Sequence, residues 1–410
     1  MPIDFKRIPP RIPVPPPPRP SIILWTFLLA SIVALGAGLT VALWPKSTPS
    51  HTLWFWCCAA IYPIFVWSAL LCCSLGIGYA RRSEAMAINR VNDSIEQERH
   101  TLASMPLAVL GHAWCFSSND EENDAQGVFN GTLHLDFKPS VGQLGTDVRA
   151  RWLEIPGDPF YSGNVLLENV RHEALCDWVL GRLIERIGGP LKALPSHTIL
   201  HVDLCLKSLV KPDRVEGSLQ KLILAKAPSL QIKITGSPDH VSLFRVDDWH
   251  GQLRPGEAVL LLSLHFRRSI SELLDDGDAE AGVALLVARP GAMHRDPSLR
   301  LHRPATGTID AEGEPFARAL RWGGVEASQI HTIWSHALAD DLAHPVKAAP
   351  QFSQDLQWTD VSATVGQCDG TGPWLALVLA LEHARLTGGP ELVLSQQGDE
   401  LIALVCKTST

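Results

Sequence analysis

Two long apolar stretches near the N-terminus constrain the fold of this chain more than any other feature. Ser21–Trp44 contains 24 residues and Leu53–Ala80 contains 28, and neither carries a charged side chain. A helix needs about 20 apolar residues to cross the hydrocarbon core of a membrane. A cleaved signal peptide has a shorter apolar region and is not followed by a second one. The sequence therefore predicts two transmembrane helices within residues 21–80.

The placement of lysine and arginine predicts how these helices are oriented. Four basic residues precede the first stretch, two directly follow the second, and the connecting loop holds one: Lys6, Arg7, Arg11 and Arg19, then Arg81 and Arg82, then Lys46. Basic residues next to transmembrane helices favour the cytoplasmic side. We therefore expect a two-pass protein of a bacterial inner membrane, in contact with the lipid bilayer and with both termini in the cytoplasm.

The charge of the chain is divided unevenly. Residues 1–82 hold seven basic and one acidic side chain, so the net charge of −8 leaves −14 for residues 83–410. Phosphate backbones are bound by basic surfaces, and nucleic acid is therefore excluded as a partner of the C-terminal part. The nine cysteines include no CxxC pair, which excludes a zinc ribbon. We expect no disulfide framework, no metal site and no cofactor.

The residues before and after the two apolar stretches have patterns of their own. Residues 1–20 are rich in proline and predict an extended polyproline arm. This arm would be either a ligand for a groove lined with aromatic residues or a stiff basic spacer lying on anionic headgroups. Residues 81–105 predict a connecting helix, because Ala87, Ile88, Val91 and Ile95 fall on one helical stripe. Residues 106–410 then form the cytoplasmic domain.

From residue 106 onward, short strand and helix patterns alternate. Strands are predicted at 107–116, 132–137, 198–204, 230–235, 258–266, 282–289, 299–303, 330–337, 391–397 and 400–407, and helices at 174–188, 218–226 and 314–324. Gly398-Asp399 predicts a hairpin between the last two strands. Such alternation is typical of a layered α/β domain.

Three stretches of this domain, together with the final hairpin, resemble the thiolase-like fold of ketoacyl synthases. They are DAEAGVALLVARP (278–290), IHTIWSHALADD (330–341) and DVSATVGQCDGTGPWLALVLAL (360–381). The resemblance implies an α/β/α domain over residues 106–410 and a homodimer. In that family a cysteine at a strand-to-helix elbow attacks an acyl thioester, and two later side chains stabilise the oxyanion.

Carried over by position, the resemblance implies three vestigial catalytic residues. Cys205 would be the nucleophile, following a strand and preceding a helix, and His336 and Gln367 would be the two donors. The sequence departs from the family at each end of this set. Bulky Leu206 follows Cys205, and Gln367 can donate a hydrogen bond but cannot act as a protonated histidine. Without the resemblance, Cys205 is a small buried apolar residue and His336 a strand-end histidine bound to backbone.

These departures favour a role without catalysis. We expect a membrane-anchored scaffold or adaptor that docks a protein partner, similar to the accessory proteins of bacterial secretion machines and, by that resemblance, of a type VI system. The alternative is a membrane-tethered, ketoacyl synthase-like condensing enzyme that acts on acyl thioesters. A third interpretation is a binding protein that keeps an acyl pocket without the chemistry.

Overall fold

The computed structural model describes residues 9–46, 49–237, 241–291, 298–308, 313–338 and 356–409. The end of the predicted stretch IHTIWSHALADD, residues 339–341, lies outside the described residues. The chain divides into two compact units, Asp4–His100 and Thr101–Thr410.

The first unit is helical. Its elements are α1 (Ile22–Leu43), α2 (Leu53–Trp56), a π-helical turn (Cys57–Ile61) and α3 (Tyr62–Ala103). By length and composition, α1 and the continuous helix from Leu53 to Ala103 could each cross a membrane. Their apolar side chains are mostly exposed, whereas a helix in the core of a soluble protein buries such side chains. The predicted connecting helix at 81–105 is not a separate element, because α3 continues through it to Ala103.

Close contacts join the two long helices of this unit. A Cβ atom on Gly36 would lie 2.2 Å from the ring of Pro63, so only glycine allows this approach. Trp67 donates a hydrogen bond from Nε1 to the carbonyl oxygen of Trp25 at 3.0 Å. The π turn lies directly before Pro63, where the missing proline N–H interrupts regular α-helical bonding.

The proline-rich arm lies along α3. The backbone of Ile12 makes two hydrogen bonds with the side-chain amide of Asn89, at 2.9 and 2.8 Å. Arg11 pairs with Asp93 at 2.8 Å. Residues 9–20 form neither helix nor strand, as expected of a polyproline segment. The arm is therefore held by its own chain, which neither interpretation from the sequence anticipated.

The second unit is built on one large mixed sheet. Its strands are β1 (Leu107–Cys115), β4 (Ile199–Lys207), β5 (Gln231–Ser237), β6 (Glu257–His265), β7 (Ala281–Ala288), β8 (Leu299–Leu301), β9 (Ala305–Thr308), β10 (Thr332–Ser335), β11 (Gln357–Asp360), β12 (Glu391–Gln397) and β13 (Glu400–Thr408). The order across the sheet is β11-β10-β12-β13-β8-β1-β7-β6-β4-β5, and β9 adds to β13. Two short strands, β2 (Phe137–Pro139) and β3 (Asp147–Arg149), form a separate pair.

Helices cover both faces of the sheet. They are α4 (Ala125–Phe129), α5 (Val165–Arg186), α6 (Gly188–Ala193), α7 (Pro212–Lys226), α8 (Arg245–Gln252), α9 (Gly313–Gly323), α10 (Val361–Thr364) and α11 (Gly372–Thr387). Helices α5, α6 and α7 pack on one face of β4, β6 and β7, while α8 and α11 pack on the other. Alternate residues of these strands point into the two apolar layers. The α/β/α architecture predicted from the sequence is confirmed.

The sheet repeats one topology twice. Numbered within its own half, each set of five strands runs in the order 3-2-4-5-1, and the fifth strand is antiparallel to both neighbours. The halves join where β1 pairs with β8. Helices α8 and α11 are equivalent, since each connects strands 3 and 4 of its half. They also touch, with the rings of Trp249 and Trp374 5.5 Å apart.

Two local predictions were wrong. Of the strand predicted at 132–137, only the last residue, Phe137, belongs to a strand. Residues 132–136 form none, because an alternating pattern does not by itself supply a neighbouring strand to pair with. The helix predicted at 174–188 begins nine residues earlier, at Val165. Its first turns were missed because their charged residues are buried and their apolar residues are exposed, the reverse of the usual pattern.

A buried ionic network holds α5 to the loops beside the sheet. Arg171 donates to Glu280 at 3.0 and 2.6 Å and to Glu168 at 3.0 Å, and all three side chains are fully buried. Glu168 also accepts from the backbone N–H groups of Ile270 and Ser271, both at 2.9 Å. Burial alone would raise the pKa of Glu168, but the hydrogen bond with His172, the charge of Arg171 and the bonds from residues 270 and 271 lower it to about 2.

Replacing Arg171 by methionine is expected to destabilise the domain strongly. The change leaves two buried carboxylates without their cation, and breaking a buried pair in this way costs about 3–5 kcal/mol. Arg385→Met is the control, since Arg385 is about half exposed and pairs with Glu382 at the surface, where such pairs contribute about 0–1 kcal/mol. Urea unfolding of the full chain in nanodiscs measures both; equal losses would contradict the role assigned to the network.

Candidate functional site

The predicted donor His336 lies at the end of β10, where the loop before α11 meets it. Its ring is buried, and the backbone N–H of Cys368 points at Nε2 at 3.3 Å. That N–H donates to Nε2 in the tautomer that carries the ring proton on Nδ1, whereas in the other tautomer Nε2 donates to the carbonyl oxygen of Gly366. The carbonyl oxygen of Gly366 lies 3.3 Å from the same nitrogen. Burial lowers the pKa of His336, so the ring is neutral.

The glycines of this loop are required by close approach. A Cβ atom on Gly372, the first residue of α11, would lie 2.1 Å from the ring of His336. Gly366 has a φ of +112°, and a Cβ there would lie 2.7 Å from the carbonyl oxygen of Gly277 and from Ala279. Side chains at either position would therefore collide with rigid groups. The loop seals the histidine ring against the N-terminus of α11.

Cys205 is not at an elbow. It lies inside β4, which continues beyond it to Lys207, and its side chain is 1% exposed. The prediction that it follows a strand and precedes a helix was wrong. Its side chain joins the apolar layer that also contains α11. In the parallel pairing of β4 with β6, Cys205 lies opposite Ser263. The hydroxyl of Ser263 is 2.8 Å from that of Thr371, beside α11. Cys205 thus packs as a small buried apolar residue, as its residue type alone suggested.

In the first half of the sheet, three strands lead into helices. The connecting stretches are residues 116–124 between β1 and α4, 208–211 between β4 and α7, and 238–244 between β5 and α8, and none of them contains a cysteine. Residues 238–240 lie outside the described residues. The connection before α8 corresponds in topology to the loop before α11, and Trp374 donates from Nε1 to the carbonyl oxygen of Val241 at 2.7 Å.

Gln367 and Cys368 lie in different surroundings although they are adjacent. Gln367 is exposed, and its backbone bridges to Gly277 and Ala279 at 2.6 and 3.0 Å. Cys368 is fully buried, and burial raises the pKa of its thiol to about 12. A neutral thiol is a poor nucleophile. The buried cysteine of this loop is therefore poorly placed to act as a nucleophile, and the residue predicted as the second donor faces solvent.

A charged cluster covers the edge of this region. It consists of Lys207, Arg267, Asp278 and Asp369. Asp369 pairs with Lys207 and with Arg267, the latter at 3.1 Å, and Arg267 also pairs with Asp278 at 3.0 Å. Burial opposes ionisation of Asp369, but the hydrogen bond from Lys207 and the nearby positive charges outweigh it and lower the pKa of its carboxyl.

His265 lies beneath the charged cluster, as the last residue of β6. It is fully buried, and neither ring nitrogen has a hydrogen-bond partner in the part of the chain that the structure describes. Burial, assisted by the charge of Arg267, lowers its pKa to about 3. Its Nε2 is 3.9 Å from Asp369. Sequence reasoning missed this histidine and the charged cluster, although HFRR (265–268), at the end of a predicted strand, was a usable signal.

Four surface cavities of the described part of the chain lie away from the predicted residues. Their volumes are about 540, 470, 340 and 270 Å³. The cavity of 340 Å³ borders the charged cluster through Lys207, Arg267 and Asp278. The three predicted residues, Cys205, His336 and Gln367, line none of these four cavities.

Comparison with solved structures finds several similar chains. The chain is similar to the ishigamide ketosynthase/chain length factor (17% identity, 75% of this chain and 100% of that one, TM-score 0.48). It is also similar to the acyltransferase ChlB3 (11%, 74% and 98%, 0.47) and to cerulenin-bound OleA of Xanthomonas campestris (9%, 74% and 97%, 0.45). No protein-family model and no curated protein matches the sequence.

Gly372→Ala is expected to destabilise the domain by about 1–3 kcal/mol, because the new methyl group overpacks against His336. Gly217→Ala is the matched control. Gly217 lies within α7, a Cβ atom added there would meet no atom within 4 Å, and the change should gain about 0.5–1 kcal/mol from helix propensity. The two changes in urea midpoint should have opposite signs; a neutral Gly372→Ala would contradict the sealed arrangement.

Stability is expected to fall as the pH drops below 6.5. The pKa values of His250, His265 and His302 are lowered to about 3, 3 and 4, chiefly by burial. Between these values and 6.5 the unfolded chain binds protons that the folded domain excludes. The free energy of unfolding therefore falls by up to about 1.4 kcal/mol per pH unit for each histidine. Urea unfolding at pH 7 and pH 5 should show this loss, and His265→Gln should reduce it. An unchanged slope in that variant would contradict a neutral His265.

Proposed function

We propose that this protein is a membrane-anchored, non-catalytic scaffold or adaptor whose large domain has the fold of a condensing enzyme. The observation that carries the proposal is the absence of an accessible thiol around His336 among the described residues. Cys205 lies inside β4 and Cys368 lies under the loop with a raised pKa. Thiolate chemistry needs an exposed thiol with a lowered pKa.

The membrane anchor is part of the same proposal. Two long apolar helices with exposed side chains support two spans. The basic residues that flank them support an inner-membrane location with both termini cytoplasmic. An acidic domain held at the membrane in this way would present its surface to protein partners. We also propose, from the resemblance, that the protein belongs to a type VI secretion machine and forms a homodimer.

The alternative is a membrane-tethered condensing enzyme acting on acyl thioesters. One observation favours it: His336, the Ser263–Thr371 hydrogen bond and Cys205 all lie on the side of the sheet that α11 covers. The N-terminus of α11 supplies a positive dipole end there, which suits a developing oxyanion. This chemistry would require the loop before α11 to open and expose Cys205.

An acyl-thioester probe separates the two functions. The full chain in nanodiscs is incubated with a fluorescent acyl-coenzyme A analogue, and covalent labelling is read by mass spectrometry. We expect no labelling of Cys205 or Cys368 in the folded protein, while a thiol reagent should label both in urea. Covalent transfer of the acyl group to the folded wild type, and its absence from Cys205→Ala, would overturn the scaffold proposal and support the condensing enzyme.

A further inference from the structure

The first two turns of α5 have an inverted pattern. Their charged residues, Glu168 and Arg171, are fully buried. Their apolar residues face solvent, with Leu166 76% and Val170 59% exposed. Asn164 caps the helix by accepting from the N–H groups of residues 166 and 167, so the turn is well formed. A buried charge together with an exposed apolar row is the unusual observation that marks an interaction surface.

The exposed row is part of a larger apolar surface. We define this surface by Tyr161, Val165, Leu166, Leu167, Val170 and Leu273, all of them exposed. Leu273 is brought to α5 because the neighbouring backbone groups of residues 270 and 271 donate to Glu168. The residue before the cap, Gly163, donates to the carbonyl oxygen of Ile270 at 2.9 Å. The buried network therefore holds the two segments of the surface in one fixed arrangement.

Among the described residues of the sheet domain, the other exposed large apolar side chains occur singly or in pairs; they are Leu102, Met105, Phe137, Leu144, Leu224 and Leu386. Leu224 on α7 and Leu386 on α11 are single exposed side chains on otherwise polar or buried turns. Single exposed leucines are ordinary in soluble proteins, whereas six large apolar side chains on adjoining segments are typical of a binding site. Preorganisation by the buried network would lower the entropic cost of binding there.

The charges beside the surface select the kind of partner. Acidic side chains outnumber basic ones around the surface. The exposed or half-buried acidic residues are Asp158, Glu173, Asp177, Glu272, Asp275, Asp276 and Asp278; the basic ones are Arg268, Arg214, which pairs with Glu173 and Asp177, and Arg267, which pairs with Asp278. Arg268 is itself paired with Glu272 at 2.7 Å. A second copy of this surface would repeat the same negative charges, and anionic lipid headgroups would be repelled by them. A positively flanked partner is complementary.

We propose that the apolar surface docks a protein segment whose apolar face is flanked by lysine or arginine. The apolar face would cover Leu166 and Val170, and the basic residues would lie against Glu272 and Asp276. This inference rests on the proposed adaptor function, for which it names the docking surface and the chemistry of the partner.

Site-specific photo-crosslinking tests the surface in the full chain in its own cells. The photoreactive p-benzoylphenylalanine is placed at position 166 and, as the matched control, at position 386. We expect position 166, and not 386, to crosslink to another protein, at a segment with basic residues beside an apolar face. Crosslinks to a second copy of the chain, to lipid, to the same protein from both positions, or to nothing would each overturn the inference.

A synthetic peptide of the crosslinked segment then measures the two contributions. Leu166→Asp should weaken its binding to the full chain in nanodiscs at least tenfold, while Leu386→Asp should change it less than twofold. Exchanging the basic residues of the peptide for glutamate should also weaken binding at least tenfold. Equal affinity for both peptides, or equal effects of the two variants, would contradict the docking surface. The adaptor function is tested by the separate acyl-labelling experiment. Failure of the docking surface can therefore be distinguished from failure of the adaptor function.

Discussion

One arginine between two buried carboxylates fixes the geometry around α5. Arg171 must be desolvated to reach Glu168 and Glu280, and such a network is tolerated only because each carboxylate also accepts backbone N–H groups. Those backbone bonds come from residues 153, 267, 270 and 271. The network therefore determines where the connection between β6 and β7 and the segment around Leu153 lie. It positions Arg267 in the charged cluster and Leu273 on the apolar surface, which links the two features that bear on function.

The second constraint is steric. Gly372 allows the ring of His336 to lie against the first turn of α11, and Gly366 adopts a backbone conformation that other residues avoid. The N–H of Cys368 points at the histidine ring, and both the ring and the thiol beside it are buried. The loop therefore encloses these two groups within the domain.

Much of the architecture could be predicted from the sequence, because strand and helix patterns are local. The central strands, the final hairpin at Gly398 and the glycine loop before α11 lie where the patterns placed them. The inverted turns of α5 could not be predicted, since the burial of Glu168 and Arg171 depends on Glu280, over a hundred residues away. For the same reason the duplication of the 3-2-4-5-1 strand order is visible only in the pairing of the strands, because the two halves share topology rather than a repeated motif.

The candidate site shows the same division. Composition and short-range order were enough to predict the two long apolar helices, the charge difference between the N-terminal segment and the acidic domain, and the position of His336 at a strand end. That Cys205 lies within a strand, that Gln367 is exposed and that His265 is buried under the charged cluster became visible in the folded chain alone. Burial and the surroundings of a side chain are set by residues distant in sequence, and their effects on pKa and reactivity follow from that packing.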